Sequence, residues 1–190
     1  TGAFSLATAA EIFSTSRYLK TFGRTMLLGV IVAVIATFIG YVFAYTITRT
    51  NGLQGFLKTI ATLPILSPPF ILCLSIIFLF GRQGLITILL GIEGNDVYGM
   101  GSLIVVQVLS FSPRYMTLSG ILSSIDASVE DAACNMGASR WHTFWTVTFP
   151  LSLPGIISLL LVFIQSLEDF SNPATIGGDF TTLSVEVYQI

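Results

Sequence analysis

Long apolar runs without a charged residue constrain the fold of this chain more than any other feature of its sequence. The run from Thr25 to Thr48 contains no Asp, Glu, Lys or Arg, and a second run extends from Ile60 to Phe80. About 20 mostly apolar residues form a helix that crosses a hydrocarbon core of roughly 30 Å. The whole chain is 53% hydrophobic and 9% charged, whereas soluble domains are about 25% charged. We therefore predict an all-α membrane protein with one integral membrane domain over residues 1–190.

Further apolar runs predict two more spans, which makes about four in all. A third run begins at Met100 and continues to Ile125, and a fourth extends from Leu151 to Leu167. The second run contains Pro64, Pro68 and Pro69, and a proline removes a backbone donor and clashes with the preceding helical turn. We therefore expect the second span to be kinked or broken and to lie toward the interior of the bundle.

The polar segments outside these runs predict shorter elements. Residues 1–24 mix Ser, Thr and aromatic residues with scattered charges, which is typical of an amphipathic helix at the membrane surface. Residues 81–99 surround an apolar piece that is too short to span, and predict an interfacial or re-entrant helix. Because the chain begins at Thr1 and ends in an extended polar stretch, it is expected to be a fragment of a longer protein.

Charge and cysteine content exclude several classes of protein. The net charge is −2 and the sequence lacks clustered Lys and Arg, which argues against nucleic acid as a partner. Cys73 and Cys134 lie in different settings, one apolar and one polar, and are expected to be unpaired. The sequence contains no GxxxxGK[S/T] phosphate loop, no HExxH zinc pair and no GxSxG elbow, and His142 is its only histidine. We therefore predict that the chain has no catalytic residues and no metal site of its own.

The polar segment at residues 126–148 contains a spaced motif between two apolar runs. Asp131-Ala132-Ala133 is followed after three residues by Gly137, and after nine more residues by Val147, one residue and Phe149-Pro150. This pattern resembles the coupling-loop signature of importer-type ABC transporter permeases: Glu-Ala-Ala, three residues, Gly, nine residues, Ile, one residue, Leu-Pro. Three positions depart from the signature conservatively, with Asp in place of Glu, Val in place of Ile and Phe in place of Leu.

The resemblance covers the whole chain and implies a fold and a function. It implies a type I ABC importer permease bundle that works by alternating access as a multi-pass protein of the bacterial inner membrane. Residues 166–183 are similar to the corresponding stretch of permeases of the ferric-iron type, so ferric iron or another small ion or solute is the implied substrate. In this family the coupling loop lies in the cytoplasm and docks an ATP-hydrolysing subunit. The docking residues implied by the resemblance are Glu130, Asp131, Ala132, Ala133, Gly137 and Pro150.

The same resemblance implies the partners. They are an ABC ATPase subunit that binds ATP and Mg²⁺, a second permease half that is fused or separate, a periplasmic or lipid-anchored substrate-binding protein, and membrane lipid. This chain is expected to bind no cofactor itself and to be a transporter subunit instead of an enzyme. Counting the spans places the connector at residues 49–58 on the same side as the coupling loop, and residues 81–99 on the other side.

Capping residues in the loop predict two short helices. Ser128 is expected to cap the first, with Asp131 as its third residue, and Ser139 is expected to cap the second. Gly137 is expected to form the turn between them, and Pro150 to mark the entry into the fourth span. One face of the second helix is expected to contain Trp141, Phe144, Trp145 and Thr148. The paired alanines make the first helix narrow, which suits insertion into a groove on another protein.

Other interpretations stay open. The loop could be an interfacial connector whose Trp141 and Trp145 lie at headgroup depth. An Ala-Ala pair, a turn glycine and a Ser-capped helix also suit a DNA-binding helix–turn–helix, although the flanking membrane spans oppose it. For the chain as a whole, the alternatives are an intramembrane enzyme and a passive channel or structural membrane subunit.

Charged residues next to apolar runs are candidates for a substrate pathway. Arg114 interrupts the third run, and Glu168 and Asp169 end the fourth. The acids are candidates for oxygen ligands or electrostatic guides of a cation, or for solvated charges at a helix end. Arg114 is a candidate to line the pathway, to pair with an acid or to snorkel to the interface. Turn signals between residues 172 and 178 predict that the tail after these acids is loop-like.

Overall fold

Helices make up all the secondary structure that the computed structural model describes, which covers residues 16–49, 54–91, 96–111 and 115–188. A π-helical turn, Phe144–Thr148, joins the helix Arg140–Thr143 to the helix Phe149–Glu168. In chain order the helices are α1 (Ser16–Arg49), α2 (Gln54–Leu66), α3 (Pro69–Phe80), α4 (Leu85–Leu89), α5 (Met100–Phe111), α6 (Tyr115–Ser124), α7 (Ala127–Asn135), α8 (Arg140–Thr143), α9 (Phe149–Glu168), α10 (Ser171–Ile176) and α11 (Leu183–Tyr188). The predicted all-α fold class is confirmed.

Three stretches of the described residues are long and apolar enough to cross a membrane: Arg17–Arg49, Phe70–Leu89 and Arg140–Glu168. Large apolar side chains such as Phe38 and Phe78 are exposed along them, as expected of surfaces that face lipid. The third predicted span corresponds to α5 and α6, which contain only 12 and 10 residues. The count of four spans therefore stays a prediction, and Arg114, between these two helices, lies outside the described residues.

The second predicted span is broken, as its prolines indicated. Residues Ser67 and Pro68 separate α2 from α3. Pro69 is the first residue of α3, where a backbone N–H has no helical partner to lose, so proline is tolerated there. The short helix α4 continues the apolar stretch Phe70–Leu89, and its predicted place at the membrane interface stays a prediction.

The described residues correct parts of two sequence-based expectations about the ends of the chain. Helix α1 is continuous from Ser16 to Arg49, so residues 16–24 belong to the helix of the first span and not to a separate surface helix; residues 1–15 of that expectation lie outside the described residues. Its polar residues are tolerated because they bond within the helix: the Thr25 hydroxyl donates to the Thr21 carbonyl at 2.8 Å. The tail after α9 is only partly loop-like, because it contains the short helices α10, which includes Asn172-Pro173, and α11. The predicted turn at Gly177-Gly178 lies between them: Gly178 has φ of +55°, and the Phe180 amide donates to the Gly177 carbonyl at 2.9 Å.

The described residues form two compact units, which we call the loop unit and the tail unit. The loop unit comprises the described parts of residues 33–68 and 108–163. In it, Ala44 of α1 packs with Leu118 and Leu122 of α6, all fully buried. Helix α9 approaches α6 closely at Gly155: a Cβ atom added to this residue would lie only 2.7 Å from a methyl carbon of Leu118. Close packing of α1 and α9 on α6 therefore positions the ends of the 126–148 loop.

The tail unit comprises the described parts of residues 1–32, 69–107 and 164–190. Helix α10 packs against α3, and the Ile176 carbonyl at its end accepts a hydrogen bond from the Gly99 amide at 2.9 Å. The amide of Leu183, the first residue of α11, donates to the Thr25 hydroxyl at 2.9 Å. Arg17 forms an ion pair of 2.6 Å with the buried Glu186. These tertiary contacts explain why two parts of a segment rich in turn-forming residues are helical.

Candidate functional site

Helix α7, which contains the Asp-Ala-Ala start of the spaced motif, has a hydrogen-bonded cap at its N-terminus. The Asp126 carboxylate accepts a hydrogen bond of 2.9 Å from the Ser128 amide, and Asp126 has the extended backbone of an N-cap residue. This hydrogen bond lowers the pKa of Asp126, because it favours the charged form of the carboxyl group. The predicted cap, Ser128, is wrong by two residues. A carboxylate at position 126 provides a charged acceptor that also interacts favourably with the helix dipole.

The C-terminus of α7 ends in a Schellman motif, as the position of Gly137 predicted. Gly137 has φ of +91°, in the region that side chains with a Cβ rarely adopt. Its amide donates to the Cys134 carbonyl at 2.9 Å, and the Ala138 amide donates to the Ala133 carbonyl at 3.1 Å. These are the two hydrogen bonds that define the motif. The prediction that Gly137 ends the first short helix is confirmed.

The motif residues divide between two faces of α7. The exposed face contains Ser128, Asp131, Ala132, Asn135 and Met136. Met136 is 84% exposed, whereas Ala133 is only 9% exposed and Glu130 is partly buried. Ala133 and Glu130 therefore face inward, although the family resemblance implied the same docking role for them as for their neighbours. A partner that approached α7 would contact Asp131 and Ala132 first.

The Glu130 carboxylate lies between the ends of two long helices. One oxygen, Oε1, accepts a hydrogen bond from the Arg49 guanidinium at 2.7 Å and another from the Thr148 hydroxyl at 2.9 Å. Sequence reasoning placed Thr148 on one face of the second loop helix but paired neither Thr148 nor Arg49 with Glu130. The sequence signal that could have identified this contact was Arg49 itself. It is a cation at the end of the first apolar run, and it was predicted to lie on the same side of the membrane as the loop.

The second helix of the loop is continuous with the last long helix. Ser139 caps α8 as predicted, and its hydroxyl accepts a hydrogen bond from the His142 amide at 3.2 Å. The π-helical turn then leads directly into α9, in which Pro150 is the second residue. The Phe149 amide donates to the Phe144 carbonyl, five residues earlier. Pro150 has no amide hydrogen to donate, and the wider π-helical turn before it lets the helix continue without a break. Pro150 therefore follows a change of helix type and does not end the helix.

Aromatic rings of the loop pack on one another and on α1. Trp141 stacks on Phe144 with ring centroids 6.0 Å apart, and Trp145 meets Phe144 edge to face at 5.3 Å. Tyr41 and Tyr45 also contact the Phe144 ring. The cluster lines an apolar groove of about 690 Å³. The predicted shared face is confirmed for the three aromatic residues, and the exposed tryptophans leave headgroup anchoring as an open interpretation of this part of the loop.

The two acids at the end of α9 have different surroundings. Glu168 is exposed, whereas the Asp169 carboxylate accepts hydrogen bonds of 2.8 Å from the Gln107 amide and from the Asn172 side-chain amide. Gln107 is fully buried and also accepts a bond from the Ser166 hydroxyl at 2.8 Å. Asp169 is thus a member of a buried hydrogen-bond network that joins α5, α9 and α10. A role of Glu168 or Asp169 in a substrate pathway stays a prediction.

Removing Gln107 is expected to destabilise the tail unit. Gln107→Leu removes one of the hydrogen bonds to the Asp169 carboxylate and leaves the buried Ser166 hydroxyl without its acceptor, at a cost of about 1–2 kcal/mol. We expect a lower melting temperature of the detergent-solubilised permease than for Gln54→Leu, the same change at a partly exposed position on α2. Equal melting temperatures for the two variants would contradict a stabilising network.

A polar cavity lies in the tail unit and was not predicted. Its volume is about 730 Å³, and its lining includes Arg24, Arg82, Asp96 and Asp179. Arg82 and Asp96 form an exposed ion pair of 3.3 Å, and the Arg24 guanidinium lies 5.9 Å from the centre of the Phe180 ring. Among the described residues, no three His, Cys, Asp or Glu side chains are close enough together to hold a metal ion.

Helices that can span a membrane, with an exposed and doubly capped helix between them, define the chain as a helical membrane protein. Residues 36–190 match the family described as the inner membrane component of binding-protein-dependent transport systems, and the chain belongs to this family. Family membership confirms the resemblance seen in the sequence and decides against a DNA-binding helix–turn–helix.

Relatives and a solved structure agree with this assignment. The chain is 34% identical to the ferric transport system permease protein FbpB of Actinobacillus pleuropneumoniae over 97% of its own length and 28% of that relative. It is 30% identical to the molybdenum transport system permease protein ModB of Escherichia coli K12, over 80% of this chain and 70% of that relative. The fold matches that of a bacterial alginate ABC transporter in complex with a periplasmic protein bound to an alginate pentasaccharide, with a TM-score of 0.74 and 16% identity over 95% of this chain and 69% of that one. The chain therefore spans less than a third of the ferric relative.

Proposed function

We propose that this chain is part of a membrane-spanning permease subunit of an ATP-driven importer, and that α7 docks the ATPase subunit on the cytoplasmic side of the bacterial inner membrane. The observation that supports this most is the geometry of α7. Its two ends are fixed by Asp126 and by the Gly137 turn, and its exposed face presents the short Ala132 side chain beside Asp131. A narrow, rigid helix of this kind fits a groove on a partner without the entropic cost of ordering a loop on binding.

The proposed mechanism is rigid coupling. ATP and Mg²⁺ bind the partner subunit, and closure of two such subunits displaces α7. Because α8 and the π-helical turn are continuous with α9, a displacement of the loop is transmitted directly into a membrane-spanning helix. The permease then alternates between inward-facing and outward-facing states together with a second permease half.

The proposed substrate is ferric iron or another small ion or solute, delivered by a periplasmic or lipid-anchored binding protein. The name of the ferric relative supports iron, and the name of the molybdenum relative shows that similar chains serve other ions. Uptake of radiolabelled ferric iron by cells that express the complete transporter tests the substrate. We expect uptake above that of a strain without the permease. Equal uptake by both strains would reject ferric iron.

Photo-crosslinking from α7 tests the docking role. A benzophenone amino acid at Met136, which is 84% exposed, is expected to crosslink to the co-expressed ATPase subunit. The same group at Leu89, which is 81% exposed but lies on α4, is the matched control and should give no such product. If the ATPase subunit neither co-purifies nor crosslinks at Met136, the docking proposal is wrong and a passive channel, a structural subunit or an intramembrane enzyme becomes the better interpretation.

A further inference from the structure

Glu130 lies next to the proposed docking face but does not belong to it. Its side chain is 20% exposed and that of Arg49 is 21% exposed, so their ion pair is largely shielded from water. Such a pair is screened less by solvent and salt than a surface pair is. The Thr148 hydroxyl adds a second hydrogen bond to the same carboxylate oxygen. Glu130 is therefore already bonded within the chain and is not available to a docking partner.

Arg49, Glu130 and Thr148 belong to three different helical elements, which must move together if the loop is to transmit motion to the membrane-spanning helices. Arg49 is the last residue of α1, Glu130 lies in α7, and Thr148 is the last residue of the π-helical turn at the base of α9. A nine-residue helix has little apolar surface to hold it in place, and most of the described side chains of α7 are exposed, with only Ala133 buried. A shielded, charge-assisted bridge supplies the directional contact that its own packing lacks.

We propose that the Arg49–Glu130–Thr148 bridge transmits the displacement of α7 to the ends of α1 and α9, so that Glu130 is a positioning residue for transport coupling and not a docking contact. The inference rests on the proposed function, because it requires that a partner displaces α7. Without the bridge, α7 still binds the ATPase subunit through its exposed face. Its movement is then absorbed by tilting of α7 relative to α1 and α9.

The test uses the complete permease with its ATPase subunits and substrate-loaded binding protein in proteoliposomes. Glu130→Gln and Arg49→Gln remove the ion pair, and Lys58→Gln removes a cation from an exposed position on α2 as the matched control. Two quantities are measured: the amount of ATPase subunit that co-purifies, and the stimulation of ATP hydrolysis by the loaded binding protein. A residue that only stabilises the fold would lower both together.

We expect Glu130→Gln and Arg49→Gln to retain the ATPase subunit and to lose at least about fivefold in stimulation, the lower end of typical coupling between sites. The double variant should lose no more than either single variant, because the two residues act as one unit. Stimulation equal to that of Lys58→Gln would overturn the proposal, and so would loss of the ATPase subunit from Glu130→Gln, which would make Glu130 a docking contact.

Thr148→Val keeps the proposal testable if the charge variants fail to insert into the membrane. This change removes one hydroxyl and leaves the ion pair in place, so a smaller but measurable loss of stimulation is expected. Full stimulation in Thr148→Val would then overturn the proposal. Failure of the proposed function itself gives a different result, because the unaltered permease would not retain the ATPase subunit or respond to the binding protein.

Discussion

Ala132→Arg is expected to abolish both retention of the ATPase subunit and uptake of substrate. Ala132 lies on the exposed face of α7, so the longer side chain does not disturb the packing of this chain. In the docked complex, the Arg side chain would keep the backbones of α7 and of the partner several ångströms apart. It would also bury a charge without a counter-ion, and both effects strongly oppose association. The measurement is the amount of ATPase subunit that co-purifies with the permease, together with uptake by the same cells.

Ala174→Arg is the matched control for this prediction. It makes the same change at another exposed position, on α10 in the tail unit, and is expected to leave retention of the ATPase subunit unchanged. Ala133 is a less informative site than Ala132 because it is buried, so an Arg there would disrupt α7 itself. Normal ATPase retention in Ala132→Arg would mean that the exposed face of α7 does not dock this subunit.

Gly137→Val is expected to uncouple transport by distorting the turn after α7. A β-branched side chain at φ of +91° costs about 1–3 kcal/mol, since its Cβ clashes with the backbone in this region. The strain is relieved if residue 137 rotates out of this conformation. That rotation breaks the two hydrogen bonds of the Schellman motif and changes the direction of the chain after α7. Each 1.4 kcal/mol of strain lowers the ratio of the native to the rearranged turn about tenfold. We therefore expect uptake to fall well below that of the unaltered protein, and transport assays on cells that express the variant measure the loss.

Two further variants distinguish backbone strain at residue 137 from steric crowding by the added side chain. No atom outside the local chain lies within 4 Å of a Cβ built at Gly137, so the effect depends on conformation and not on crowding. Gly137→Asn should therefore retain more uptake than Gly137→Val, because Asn tolerates this conformation better. Gly55→Ala, in the open surroundings of α2, should behave as the unaltered protein. Equal uptake by the Val and Asn variants would show that the positive φ of Gly137 is not required.

Periodicity and local chemistry were sufficient to predict much of the fold. Apolar runs located the long helices, the prolines located the break between α2 and α3, and Gly137 and Ser139 marked the ends of the loop helices. Each of these features depends on backbone geometry within a few residues. The same reasoning failed for part of the tail, where Asn172-Pro173 lies in a helix that packs against α3 instead of forming a turn.

The division of the motif between two faces of α7 could not be predicted from the sequence. Glu130 and Asp131 are adjacent acids with the same helix-terminal chemistry, yet one is bonded to Arg49 and the other is exposed. Which of them faces inward depends on where α1 ends, 81 residues earlier in the chain. Similarly, the sequence marked Asp169 as a charge at a helix end, whereas the buried Gln107 opposite it determines its surroundings. Contacts of this range are set by tertiary packing and not by local pattern.

Labelling of Cys134 from the two sides of the membrane tests the central claim most directly. Cys134 is an exposed free thiol on α7, whereas Cys73 is buried, so a membrane-impermeant maleimide distinguishes them. In membranes that contain the full permease, we predict labelling in inside-out vesicles but not in right-side-out vesicles. The signal should disappear in Cys134→Ser and decrease when the ATPase subunit is bound. Labelling of Cys134 from the outside would contradict a cytoplasmic docking helix, and with it the proposal that a motor subunit drives this permease through α7.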